Sequence, residues 1–205
     1  MVDATATAVG EKSMTVKIGE WFFKSRDFTP IPLIILLLIF GQANALTTTI
    51  GIFLIISGEL FRIYSVAFIG TVSRTRSHST GQKLITTGPF AYVRNPLYVG
   101  NFGITAGSAV IGGNVWIFVA TCLLFCLQYH YIVRFEEDLL LERFGEDYAE
   151  FCRTTPRWFP KKMPTLADIE WPDNFSYSLK SEKRTLTTIF FLCLALAIIG
   201  TIKAR

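Results

Sequence analysis

The chain of 205 residues is 51% hydrophobic, contains 18 Phe and carries a net charge of +4. Apolar runs too long for soluble core strands exclude an ordinary soluble domain, and a small charge with acidic and basic residues intermixed excludes nucleic acid as a leading partner. The length allows one compact membrane domain of about five spans, each needing roughly 20 mostly apolar residues, and a second domain is not expected.

Residues 1–28 are polar and then mildly amphipathic, with Trp21, Phe22, Phe23 and Phe28 beside Lys17, Lys24 and Arg26. This predicts an N-terminal interfacial segment lying on the membrane. It has no apolar core behind a basic start, so we expect no cleaved signal peptide, and the first span acts as the insertion signal. A single membrane domain follows over residues 29–205, with spans at about 30–46, 47–70, 97–112, 115–134 and 185–202. Residues 71–96 are polar and basic, with glycines and prolines that predict a long loop. The third and fourth spans make a helical hairpin turning at Gly112, Gly113 and Asn114. The predicted fold is all-α, an integral membrane helical bundle of about five transmembrane helices.

Charge asymmetry between the connections orients the bundle, because Lys and Arg in short flanking loops stay on the cytoplasmic side. Arg74, Arg76, Lys83 and Arg94 occupy one connection, and Arg134, Arg143, Arg153, Arg157, Lys161 and Lys162 another, whereas the turns near 41–49 and 112–114 carry no charge. The N-terminus and both basic connections are expected to face the cytoplasm. Lys203 and Arg205 at the far end are a mild violation. Cys122, Cys126 and Cys193 lie in apolar runs and Cys152 stands alone, so free thiols and no metal site are expected.

Within the hairpin, Gly100, Gly103 and Gly107 share a helical face, which predicts close backbone packing. His130 reads as a hydrogen-bonding residue of the bundle interior, and Glu59 and Arg62 as an intramembrane pair on one helical face.

Two stretches remain. In GPFAYVRNPLYVG, residues 88–100, Arg94 and Asn95 precede a proline at a helix start, where unpaired amides welcome an anion. Arg94 can grip a carboxylate with two parallel hydrogen bonds, and Tyr92 and Tyr98 can offer ring faces to a cation. In RFEEDLLLERFGEDY the fourth span continues into an amphipathic helix ended by Gly145, leaving Glu136 and Glu137 at the water boundary. A carboxylate there can accept from an ammonium or from ribose hydroxyls. Carboxylate, ammonium, sulfonium and ribose are the functional groups of S-adenosylmethionine. An ordinary interfacial belt of salt bridges and aromatic anchors fits the same residues, and the sequence pattern leaves both readings open.

The first stretch, a spanning hairpin and FEEDLLLERFGEDYAEFCRTTPRWFP together resemble the isoprenylcysteine carboxyl methyltransferase and phospholipid methyltransferase families over roughly residues 80–162. The resemblance implies an integral membrane enzyme using S-adenosylmethionine in a cytoplasmic-face pocket. It implicates Leu84, Gly88, Tyr92, Arg94, Asn95, Pro96, Tyr98, Glu136 and Glu137 in cofactor binding, with Tyr148 and Arg157 as neighbours, and Arg94 and Glu137 in catalysis. Asn95 stands where many members have His, and an amide cannot titrate near neutral pH. The chain also runs beyond Lys162, where the isoprenylcysteine enzymes end soon after the motif.

The expected acceptor is a lipid or other amphipathic small molecule entering from the bilayer: a prenylated cysteine carboxylate, an ethanolamine headgroup, or a hydrophobic thiol or phenol. An amine would need a base, for which Glu137 or Glu59 is the candidate. Two other classes stay open. Membrane sterol reductases share a related hairpin and an Arg-x-Pro corner, which would mean NADPH, and a non-catalytic membrane interaction protein would use the glycine face alone. The oligomeric state cannot be read from the sequence.

Overall fold

A computed structural model of the chain describes residues 13–70, 83–172 and 174–203. The basic-loop residues Arg74 and Arg76 lie outside them. Among the described residues all regular structure is helical: α1 Met14–Ser25, α2 Ile31–Phe40, α3 Ala45–Ile69, α4 Pro96–Ile111, α5 Val115–Phe144, α6 Glu146–Thr154 and α7 Phe175–Lys203, with short 3-10 turns at Gly88–Ala91 and Leu166–Asp168.

Two helices, α3 and α5, are long and apolar enough to cross a membrane, and α2 is a shorter apolar helix. Large apolar side chains point outward along α3 and α5, with Phe53, Leu60 and Leu123 each more than 60% exposed, and Phe190 of α7 does the same. Such a surface suits lipid and not water. The apolar run expected to continue to residue 46 is helical only as far as Phe40. Gly41 turns to extended backbone while its N–H returns to Leu37 O, and Asn44 then opens α3 by accepting from the Thr47 amide at 3.0 Å. At 1.5 Å per residue α2 is about 15 Å long. Helix α5 runs well beyond its apolar segment, continuing unbroken to the Gly145 cap, and α7 begins at Phe175, well ahead of its own.

The most extensive packing joins antiparallel α3 and α4. Gly51 and Gly58 of α3 face Gly100, Gly103 and Gly107 of α4, so closely that a Cβ on Gly58 would stand 2.7 Å from Gly100 O. The glycine face anticipated on α4 thus meets a matching one on α3. Along α5 lies α1, where Gly19 is pressed against the carbonyl of Tyr131, and Thr29 in the turn after α1 bonds Gln128. His130 points the other way and is exposed, so the interior position expected for it is corrected: α1 covers the 131 and 135 side of α5 and leaves residue 130 outside. A buried cluster of Leu37, Ile55, Ile111 and Leu196 ties α2, α3, α4 and α7 together at one end of the molecule. The polar residues discussed next gather at the opposite end.

Candidate functional site

The 3-10 turn at Gly88–Ala91 leads the chain into α4. Gly88 has φ +56°, and any Cβ there would collide with the Phe68 ring at 2.5 Å, so only glycine lets this turn lie against α3. Pro96, fully buried, begins α4 directly after Arg94 and Asn95. Across from them α5 carries Glu136 and Glu137, and Gly145 with φ +53° reverses the chain into α6, which brings residues 152–157 back over the same point.

The two sequence stretches meet at Glu137. Arg94 donates to Glu137 Oε1 from Nε at 3.2 Å and from Nη2 at 2.9 Å, while its Nη1 donates to Cys152 O at 3.0 Å and Thr155 O at 2.7 Å. The Arg94 amide also reaches Pro156 O at 2.9 Å. Arg157 donates to the same carboxylate, from Nε to Oε1 at 3.0 Å and from Nη2 to Oε2. Asn95 Nδ2 donates to Arg157 O at 3.3 Å. One turn further along α4, Tyr98 Oη donates to Glu136 Oε2 at 2.6 Å.

Arg94 is therefore a frame residue, its side chain divided between the Glu137 carboxylate and the carbonyls of the chain reversal. Arg157 keeps a third of its side chain exposed, against a tenth for Arg94. The Glu137 carboxylate beside it raises the Arg157 pKa further and secures its charge. Two guanidiniums on one carboxylate leave about one net positive charge, a place for an anionic group. Tyr148 is buried behind Glu137, and that burial drives its hydroxyl pKa well up, so it remains a neutral packing group. Arg26, not singled out by the sequence, sits over the Phe23 ring at 4.2 Å and is near enough for its charge to act on Tyr98 and Glu136. The sequence marks it only as one of the basic residues, with Lys17 and Lys24, of the interfacial segment.

Beside this cluster opens an apolar groove of about 580 Å³ between α3, the start of α4 and the segment after α6. Phe61, Tyr64, Val93, Val99, Trp158 and Met163 form its walls, with Gly88 and Tyr92 at one end. Tyr64 Oη donates to Glu170 O at 2.9 Å and ties the covering segment to α3. A recess of about 230 Å³ adjoins it at Tyr92, Asp168 and Glu170. Asp168 accepts from the Thr165 amide at 2.8 Å and its hydroxyl at 2.7 Å, which lowers its pKa and keeps it ionised. Leu84 is half-buried in the irregular stretch before Gly88 and is not a lining residue. Neither Glu137 nor Glu59 lines the groove: Glu137 is held by two arginines, and Glu59 is buried in α3 beside Arg62, with Nε 3.3 Å from its carboxylate.

Among the described residues no three His, Cys, Asp or Glu side chains come together as metal ligands. Residues 46–147 match the phospholipid methyltransferase family. The chain is 29% identical over 118 residues to the nickel-cobalt-cadmium resistance protein NccN of Alcaligenes xylosoxydans xylosoxydans, covering 58% of this chain and 52% of that one. It is 28% identical over 115 residues to the cobalt-zinc-cadmium resistance protein CzcN of Cupriavidus metallidurans, covering 56% and 51% respectively. Against the protein-S-isoprenylcysteine O-methyltransferase of Schizosaccharomyces pombe it is 29% identical over 161 residues, covering 76% of this chain and 65% of that one. The chain thus spans about half the length of the two resistance proteins it matches.

Proposed function

We propose that this chain, whose residues 46–147 belong to the phospholipid methyltransferase family, is an S-adenosylmethionine-dependent membrane methyltransferase acting on an amphipathic acceptor. The observation that carries the reading is the shared Glu137 carboxylate, which joins Arg94 of one sequence stretch to Arg157 of the other beside an apolar groove. In this reading the helices form about five spans, α1 being the interfacial segment that leads into the first, and the Glu137 end faces the cytoplasm. The basic residues around 153–162 and the uncharged turns at the other end support that orientation.

The residues present fit such a cofactor. Its carboxylate has a partner in Arg157, its ammonium and ribose have carboxylate oxygens in Glu136 and Glu137, and the Tyr92 ring offers a face to a cation. The grip expected of Arg94 passes in this reading to Arg157, with Arg94 and Glu137 holding the corner in shape. When bound, S-adenosylmethionine supplies a methyl group activated by its sulfonium.

The chain's own task is alignment and exclusion of water. Trp158, Phe61 and Val99 would hold the acceptor's apolar part, and the segment tied down by Tyr64 would cover it. Asp168, lowered in pKa, is a poor base but a good neighbour for a positive charge. With acidic residues at the rim and no basic side chain lining the groove, an acceptor that reacts as a neutral amine, whose nitrogen becomes positive as the methyl group arrives and then sheds its proton to solvent, is favoured over one that reacts through a carboxylate.

Transfer of a radiolabelled methyl group by the full chain, in vesicles offering single-chain amphipaths with an amine or a carboxylate end, tests this. Label in the amine amphipath is expected. Label in neither of these, nor in a thiol or phenol amphipath assayed beside them, would remove the methyltransferase reading, and label in the carboxylate alone would reverse the acceptor preference.

A further inference from the structure

A second polar cluster lies inside the bundle, and its far end comes from α7, outside the 46–147 family match. Glu182 of α7 is completely buried, and its carboxylate stands 2.8 Å from Arg62 Nη2. Arg62 Nη1 donates to Asn101 Oδ1 of α4. The other end of that amide, Nδ2, donates to Tyr129 Oη of α5 at 3.1 Å. The Tyr129 ring stacks on Phe125 at 4.1 Å and meets the Tyr98 ring at 4.6 Å. Tyr98 is the residue that donates to Glu136.

From this continuous set of contacts we infer that Glu182 is a positioning residue for the site, acting through Arg62, Asn101 and Tyr129 to fix the Tyr98–Glu136 pair. The chemistry of each link supports it. A guanidinium within an apolar bundle has to be neutralised and hydrogen-bonded, and Glu182 and Glu59 do this from two sides. Arg62 uses different nitrogens for Glu182 and Asn101, so turning the planar guanidinium at one contact turns it at the other. With acceptor and donor ends both engaged, the Asn101 amide has one orientation, which aims Nδ2 at Tyr129. Tyr129 is held between two rings, so its displacement repacks Tyr98. The last helix thereby takes part in the site from a distance, without lining the groove.

The consequence for cofactor affinity rests on the methyltransferase reading, whereas the contact chain itself does not. The test uses the full chain in detergent with 3-fluorotyrosine at its seven tyrosines. Fluorine resonances of residues 98 and 129 are assigned with Tyr98→Phe and Tyr129→Phe. Glu182→Gln is expected to shift both resonances and to weaken S-adenosylhomocysteine binding by about threefold to tenfold. Glu182→Asp, which keeps the charge, should return both part of the way, and exposed Glu146→Gln should change neither. In an Asn101→Leu background, which cuts the middle link, Glu182→Gln should leave both resonances where they are.

Unmoved tyrosine resonances in folded Glu182→Gln protein would overturn the inference. So would a Glu182 effect of undiminished size in the Asn101→Leu background. If the parent binds no S-adenosylhomocysteine while the resonances behave as expected, the functional reading falls and the positioning role stands.

Discussion

Arg94 and Arg157, 63 positions apart, donate to one carboxylate, that of Glu137, and Arg94 at the same time holds the carbonyls of Cys152 and Thr155. The pair does two jobs in one place: it closes the chain reversal after α6, and it leaves about a third of the Arg157 side chain exposed, next in sequence to Trp158 of the groove wall. Arg94→Lys should therefore weaken S-adenosylhomocysteine binding by roughly ten- to a hundredfold, because an ammonium cannot serve Glu137 and two carbonyls together. Arg157→Ala should cause a similar loss with smaller effect on thermal unfolding, since fewer backbone groups depend on it. Calorimetric titration beside a melting curve for each variant separates the two roles. Equal affinity in both folded variants would leave the cluster purely structural.

The glycines give a packing test. Gly58→Leu would drive a side chain into the Gly100 carbonyl and should abolish recovery of monodisperse protein, because two backbones in contact cannot part locally. Gly145→Ala meets nothing within 4 Å and suffers only from a backbone at φ +53° and ψ −124°, so its cost should be about 1 to 3 kcal/mol, read as a fall in Tm of a protein that is still recovered folded. Comparable behaviour of the two would contradict the α3–α4 packing described.

These two relationships mark how far the sequence could be read. The long apolar runs, the glycine face of α4 and the Gly145 stop are local signals, and each is visible in a single stretch. That residues 94 and 137 come together was expected because both stretches carried unusual polar groups for a membrane edge, whereas Arg157 entered only as a neighbour through the family resemblance. Arg94's engagement with backbone carbonyls was not legible, since it depends on where α6 returns. Arg62 had a helical neighbour in Glu59 to suggest a pair, but Glu182 lies 120 positions away and nothing local announces it. The end of α2 at Phe40 was missed because Gly41 and Asn44 break a run that hydrophobicity alone continues.

The groove can be blocked without touching the arginine cluster. Val99→Trp should fill part of it and raise KM for an amphipathic acceptor about tenfold or more while S-adenosylhomocysteine affinity stays within about twofold. A parallel loss of both would mean that the groove holds the cofactor and not the acceptor.

Orientation is tested with single cysteines in a background whose four native cysteines are serine. Lys162→Cys should react with an impermeant maleimide only after cells are opened, and Val115→Cys should react from outside. External labelling at position 162 would reverse the proposed topology.

The central claim, that the two distant stretches make one cofactor site, is tested most directly by calorimetric titration of the full chain and its Glu137→Gln variant. S-adenosylhomocysteine and NADPH are the two ligands. The account predicts micromolar binding of S-adenosylhomocysteine to the parent, a loss of about tenfold or more in the variant, and no binding of NADPH. Unchanged S-adenosylhomocysteine affinity in a folded Glu137→Gln protein, or binding of NADPH alone, would contradict it.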